Sequence, residues 1–435
     1  MSELIEPRIL KGFRDSMPQR EAQRQQILST LQEVFRLCGY APIDTPVLEY
    51  AEVLLGKGGG ETDKQVYRFT DHGGRDVALR YDLTVPFARF MAAHLGELPL
   101  PFRRWHAAKA WRGENTQRGR YREFMQVDFD VVGADSASAD LEILLLMRQS
   151  LAALGMQRSV VHFSHRAVFN EFLSRLGLSA RALDVLRIID KERKIGAEKT
   201  RELLAEIAGA QTAPAILEFT RIEPTPRETL SKIQKAVGAE HAAAVRLAEV
   251  LTSLDRLGAT GSFILDPSIT RGLDYYTGMV FETFLMDLPD IGSICSGGRY
   301  NDLASLYCNQ KLPGVGASIG VDRLMAAMEE LGLLKGDLSA ASLLVLCLDE
   351  TLLADYHQFA ARFREAGMAA EVYPEAKKLA VQFGYAEKRG IPLALVWGEE
   401  ERKTGRVGLK DLRSRESFDG LTPEAAIGKA KELLR

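Results

Sequence analysis

The sequence predicts an α+β protein: an antiparallel sheet core carries a helical insertion and is followed by a smaller α/β domain. Three observations predict it. Strand-like runs at 66–70, 76–80, 105–111 and 124–132 recur without needing an intervening helix, which favours an antiparallel sheet over a βαβ array. Between about 177 and 260 the composition turns to Ala, Leu, Lys, Glu and Arg, all strong helix formers. From 342 to 435 strand-like and helical segments alternate, as in a compact α/β unit.

From Gln19 to Leu37, Ile27, Leu31, Val34 and Phe35 recur at helical spacing, and Gly39 supplies a stop. Ala41 to Glu49 is extended, because Pro42 and Pro46 exclude a helix interior. The glycine-rich run Gly56–Gly60 lacks the GxxxxGK[ST] spacing of a phosphate loop and reads as a mobile loop. A helix follows at 139–154, then the helical insertion. Strand and glycine chemistry resumes at Phe263, and a helix at 321–331 closes the first unit. Gly332–Ala341 reads as a hinge. The domain expectation is therefore 1–335, with the insertion at about 177–260, and 342–435.

The chain has 435 residues, 46% hydrophobic and 26% charged, which excludes a fibre, a disordered tail and a disulfide miniprotein. No apolar run approaches the roughly 18 residues that span a bilayer. Met1–Arg20 lacks the apolar core of a signal peptide. Four cysteines lie far apart without CxxC pairing, so a reduced, cytoplasmic compartment is expected. The net charge of −3 argues against a generally basic, DNA-coating protein. Positive charge is local: seven Lys/Arg fall between Pro101 and Asp130, opposed by Glu114, Glu123, Asp128 and Asp130.

Four segments carry chemistry. Trp111–Asp130 reads as a hairpin with a basic tip, and in its second strand Arg122, Phe124, Gln126, Asp128 and Asp130 alternate onto one face. Such a face packs poorly and binds ligands well. Arg271-Gly-Leu-Asp-Tyr-Tyr276 sets two phenols beside a guanidinium. Ser296-Gly-Gly-Arg-Tyr300 lets backbone approach a ligand closely. Gly314–Arg323 is a small-residue strand entering a helix whose first turn offers Asp322 and Arg323. Each segment brings an arginine taken here to be unpaired. Convergent guanidiniums suit a polyphosphate, since each forks onto anionic oxygens, and Phe124 on the same face adds a surface for a purine. Carboxylates beside tyrosines suit a second ligand that is cationic or donates hydrogen bonds.

With these motifs the sequence resembles histidyl-tRNA synthetases, which are class II aminoacyl-tRNA synthetases, over essentially its whole length. Cys38–Glu49 is similar to class motif 1 at the dimer interface, Arg112–Phe124 to motif 2, and Gly320-Val-Asp-Arg323 to motif 3, with Asp322 where the class more often has Glu. Arg271–Tyr276 and Gly297-Gly-Arg-Tyr300 resemble signatures peculiar to the histidine enzyme. The resemblance implies histidine–tRNA ligase activity with ATP, Mg²⁺, L-histidine and histidine tRNA, in a cytoplasmic homodimer.

For individual residues it implies that Arg112 and Arg271 flank the α-phosphate, with Arg271 the catalytic arginine. Phe124 would stack on adenine near Glu114, and Arg120 and Arg323 would sit on the phosphate and adenine sides. Asp82, Leu83 and Thr84 would grip the amino group of histidine. Gln126, Asp130, Tyr275, Tyr276 and Tyr300 would complete that pocket. Asn115 and Gln117 would meet the acceptor end of the tRNA, the insertion would clamp the acceptor arm, and the last domain would bind the anticodon. An arginine often stands where Asn115 is, which implies a relaxed dependence on the extra 5′ guanosine of histidine tRNA. A regulatory paralogue of the same fold would lack the C-terminal domain and degrade 271–276, and synthetases for proline, threonine or glycine would lack the 271–276 signature.

Overall fold

The computed structural model describes residues 4–56, 65–189, 191–269, 275–334 and 341–434. The glycine-rich run from 57 onward, the hinge at 335–340 and Arg271 lie outside them. The chain divides into two compact units, one of Met1–Ser16 with Arg24–Leu334 and the other of Met17–Gln23 with Lys335–Arg435.

In the first unit the strands are β1 (Ala41–Pro42), β2 (Leu48–Tyr50), β3 (Arg68–Thr70), β4 (Asp76–Leu79), β5 (Phe102–Trp111), β6 (Glu123–Val132), β7 (Ser159–His165), β8 (Phe263–Leu265), β9 (Met279–Leu285), β10 (Cys295–Arg299) and β11 (Gly314–Gly320). One eight-stranded sheet runs β1-β5-β6-β11-β10-β9-β7-β8, and β2-β4-β3 form a small separate one. Its pairs are antiparallel except β1 with β5 and β7 with β8. The expected hairpin is β5–β6, in register from Phe102↔Val132 to Trp111↔Glu123.

Helices pack on this sheet in one hydrophobic core. Pro18–Leu37 buries Ile27, Leu28, Leu31 and Phe35, with the Phe35 ring 5.1 Å from Phe129 and 6.1 Å from Trp105. Each such side chain contributes about 1.5–3 kcal/mol when fully buried. Ala137–Ala153 packs in the same core, and the Ser136 side chain accepts the Ala139 N–H at 3.2 Å. That cap contributes about 1 kcal/mol.

The insertion is helical, from Ala182–Ile189 to Ala242–Arg256. Helix Pro226–Val237 starts with a reciprocal capping box between Thr225 and Glu228. Arg246 of the last insertion helix pairs with Asp140 at 2.7 Å and Asp135 at 3.1 Å. Asp140 also pairs with Arg299 at 2.8 Å, where the two side chains are 0% and 2% exposed. Arg299 is therefore not the unpaired, ligand-facing arginine that its signature suggested. It is the buried anchor of β10 to helix Ala137–Ala153.

The second unit holds β12 (Leu343–Val345), β13 (Ala370–Val372), β14 (Leu393–Val396), β15 (Val407–Asp411) and β16 (Ser417–Leu421), ordered β13-β12-β14-β15-β16. The first three are parallel and the last two antiparallel. Helices Leu353–Glu365, Leu379–Arg389 and Pro423–Leu433 complete it. Strand β14 ends at Val396 and Glu399–Thr404 is a helix, because three glutamates favour its N-terminal dipole and Gly405 closes it in a left-handed conformation at φ 63°.

Candidate active site

Strand β6 builds the site. Alternation sends Phe124, Gln126, Asp128 and Asp130 to one face, and they line two adjoining cavities there. The register sets Ser318 of β11 opposite Asp128, Ser296 of β10 opposite Ser318, and Glu282 of β9 opposite Ser296. Gly316 lies opposite Asp130, and a Cβ there would come within 1.9 Å of the Asp130 carboxylate. Small residues on β10 and β11 thus make the floor that larger side chains would fill.

The first cavity is lined by Arg112, Glu114, Arg120, Phe124, Asp322 and Arg323, among others. Arg112 donates from Nε to the Tyr81 carbonyl at 2.9 Å and lies 5.2 Å over the Phe124 ring. Among the described residues its two terminal nitrogens have no ion pair or hydrogen bond. Arg323 donates to the Ser293 carbonyl at 2.6 Å, and burial, then Arg120, pushes its guanidinium below the ordinary range. Arg120 pairs with Glu114 at 3.0 Å. Asp322 accepts the Met125 N–H at 2.9 Å and pairs with Arg14.

Arg14 was not foreseen. Its guanidinium stacks 3.9 Å from the Tyr121 ring centre, and the Arg122 N–H donates to the Gly12 carbonyl at 2.9 Å, so the N-terminal segment clasps the hairpin. No local pattern in the sequence marks that contact, which joins residues more than a hundred positions apart.

The second cavity is lined by Asp82, Thr84, Gln126, Asp128, Asp130, Tyr275, Tyr276 and Tyr300, and shares Arg112, Arg120, Gln126, Ser296 and Ser318 with the first. Asp82 stands at the start of helix Thr84–Ala93, accepting the Val85 N–H at 3.1 Å and the Tyr275 hydroxyl at 3.0 Å. Asp130 accepts the Tyr300 hydroxyl at 2.5 Å and pairs with Arg104 at 2.7 Å. Burial raises Asp82 and Asp130 above the usual carboxylate range, and pushes Asp128 up to about 7 against the opposing pull of Arg104. Burial also raises Tyr275, Tyr276 and Tyr300 well above the ordinary phenol range, so they act as neutral hydrogen-bonding groups.

Most sequence-named residues thus meet in one double cleft. Arg271 lies outside the described residues, and the exceptions among the others are Leu83, fully buried with its carbonyl 3.4 Å from Arg104, and Asn115 and Gln117, exposed on the hairpin loop outside both cavities. The basic patch is mostly neutralised. Arg103 pairs with Glu142, Arg104 is buried against Asp130, Lys109 pairs with Glu123, and Arg118 with Glu330. Asp128 was visible in the alternation but missing from the expected site. Arg104 was counted as surface charge, although its position directly opposite Asp130 in the hairpin makes it a buried counter-ion.

A family model described as histidyl-tRNA synthetase matches residues 12–324, and one described as an anticodon binding domain matches 342–433. The chain belongs to the histidyl-tRNA synthetase family. It is 49% identical to the histidine–tRNA ligase of Treponema denticola over 431 residues, covering 95% of this chain and 96% of that one. With the histidine–tRNA ligase of Rhodopirellula baltica it is 46% identical, covering 96% of each. A crystal structure of the histidyl-tRNA synthetase from Nostoc sp. PCC 7120 superposes with a TM-score of 0.88 at 30% identity, covering 99% of this chain and 100% of that one. As a histidyl-tRNA synthetase of class II the chain carries the ligase activity of its family, with ATP as substrate. The antiparallel core, helical insertion and C-terminal α/β unit are the architecture that the sequence predicted.

Proposed function

We propose that the first cavity receives ATP and the second L-histidine, so that Arg112, on their shared wall, faces the α-phosphate. The observation that carries this assignment is the adjoining pair of cavities with Arg112, Arg120 and Gln126 common to both. One oxygen of the histidine carboxylate attacks the α-phosphorus, and pyrophosphate leaves. The 3′-hydroxyl of histidine tRNA then attacks the adenylate carbonyl, and AMP leaves. Charge gathers on the phosphoryl oxygens in the first step, and a preoriented guanidinium stabilises it. Phe124 offers its ring to adenine near Glu114, and Arg120 and Arg323 border the phosphate and adenine sides of the same cavity. By resemblance, Arg271 acts as the catalytic arginine opposite Arg112.

Asp82, Thr84, Gln126, Asp130, Tyr275, Tyr276 and Tyr300 hold histidine, with Leu83 supporting them from behind. Polar groups built for both imidazole nitrogens reject apolar analogues, because those leave buried partners unpaired. Mg²⁺ enters with the phosphates of ATP. Among the described residues no group of three metal-ligating side chains exists, and Glu114 and Asp322 are already ion-paired. A homodimer is supported by the apolar exposure of Val47, Leu48, Tyr50 and Phe69 around the β2-β4-β3 sheet, beside the segment similar to motif 1. Residues 1–335 are the catalytic domain, with the insertion at about 177–260 on the acceptor arm, and 342–435 bind the anticodon. No helix among the described residues is long and apolar enough to cross a membrane, and the cytoplasm is the proposed location.

The test is ATP–pyrophosphate exchange with each proteinogenic amino acid. Exchange with histidine alone is expected; silence with all of them would overturn the reading. Asn115 and Gln117, exposed on the hairpin loop, are proposed to meet the acceptor end of the tRNA. With asparagine instead of arginine at 115, transcripts with and without the extra 5′ guanosine should be charged at similar rates. A large loss without that nucleotide would count against this.

A further inference from the structure

Three buried carboxylates face the second cavity, and they differ in what they still need. Both oxygens of Asp82 are engaged, by the Val85 N–H and the Tyr275 hydroxyl. Asp130 accepts the Tyr300 hydroxyl on one oxygen, and its other oxygen, which has no hydrogen bond of acceptable geometry, is ion-paired with Arg104 at 2.7 Å. Asp128 is different. Its Oδ2 lies 3.5 Å from the Thr84 hydroxyl and 3.8 Å from Arg104, while its Oδ1 is buried without a hydrogen-bond partner. The Ser318 hydroxyl across the strand pair favours the charged form but completes no bond of acceptable geometry.

Two residues earlier on the same face, Gln126 donates its amide N–H to the Ser318 hydroxyl at 2.8 Å, which leaves its Oε1 as a second buried acceptor without a donor. A buried acceptor left without a donor is costly, so a pair of them marks a place built for a ligand that donates. Gln126 belongs to both cavities, whereas Asp128 and Asp130 belong only to the second. The order along β6 is therefore nucleotide boundary, free acceptors, then the Asp130–Tyr300 pair. The α-carbon of histidine joins the reacting carboxylate to the ammonium, so the ammonium falls just beyond the boundary and the imidazole deeper.

We propose that Asp128 is a histidine-binding residue: its free carboxylate oxygen, with the free amide oxygen of Gln126, receives the α-ammonium. This deepens the assignment of the second cavity to histidine and rests on it.

The test compares two ligands that share an imidazole and a hydroxyl, histidinol and 3-(imidazol-4-yl)propan-1-ol, which lacks the ammonium. Binding is measured by calorimetry to the full-length protein. Wild-type protein should favour histidinol by about tenfold or more, the range of a hydrogen bond to a charged group. In Asp128→Ala that preference should collapse while affinity for the deamino analogue stays unchanged. Asp128→Asn, which keeps the side chain's shape, should lose most of the preference too, and serves if the alanine variant does not fold. A preference retained in both variants, or an equal loss for both ligands, would overturn the proposal. A wild-type protein that binds neither ligand would overturn the histidine assignment itself, and the proposal with it.

Discussion

Arg112→Ala is expected to lower histidine-dependent pyrophosphate exchange by about 10²–10³, the effect of removing one preoriented donor from a developing oxyanion. The side chain is held only by its Nε bond to the Tyr81 carbonyl and its position over Phe124, so truncation leaves the β5–β6 hairpin intact. Its free terminal nitrogens are what the reaction loses. Arg112→Lys should restore little, because an ammonium lacks the planar fork that meets two oxygens while Nε stays anchored. Single-turnover adenylate formation, with thermal unfolding as the control, checks both. Turnover within about tenfold of wild type would remove Arg112 from the α-phosphate, since one well-placed donor is worth more than that.

The second large effect is on stability. Asp140→Ala should cost about 3–5 kcal/mol, because it strands the buried Arg299 guanidinium without its counter-ion. Arg299 keeps the Ala134 carbonyl at 3.0 Å and Asp135 at 3.5 Å, which places the expected value toward the lower end. Arg246 loses its tie to the core in the same substitution, so the insertion should loosen as well. Urea unfolding measures the first, and amide exchange in Ala242–Arg256 the second. Replacing the pair together, Asp140→Leu with Arg299→Met, should recover much of the loss, since an apolar pair removes both desolvated charges. A single-variant loss below about 1 kcal/mol would show that the remaining oxygen partners suffice.

These two arginines also mark how far local sequence carries. Arg112 and Arg299 both sit in glycine-bearing, aromatic-bearing motifs, and both read as ligand groups. Arg112 is one. Arg299 is paired with an acid 159 positions away on a helix whose packing on the sheet no short window encodes. The same holds for Arg14, whose partner Asp322 lies 308 positions along the chain. By contrast, the face of β6 was legible because strand geometry sends every second residue to the same side whatever the tertiary context.

Periodicity, composition and motif spacing by themselves determined the antiparallel core, the helical insertion, the last α/β unit and the residues that meet on β6. Those features follow from backbone geometry and from where apolar groups must be buried, and both are written in short windows. Only the tertiary structure decided which charges remain for a ligand. An ion pair forms wherever the fold sets opposite charges side by side, as Asp130 with Arg104 and Asp140 with Arg299, and what stays unpaired in the cleft, Arg112 and one oxygen of Asp128, is known only after those pairs are made.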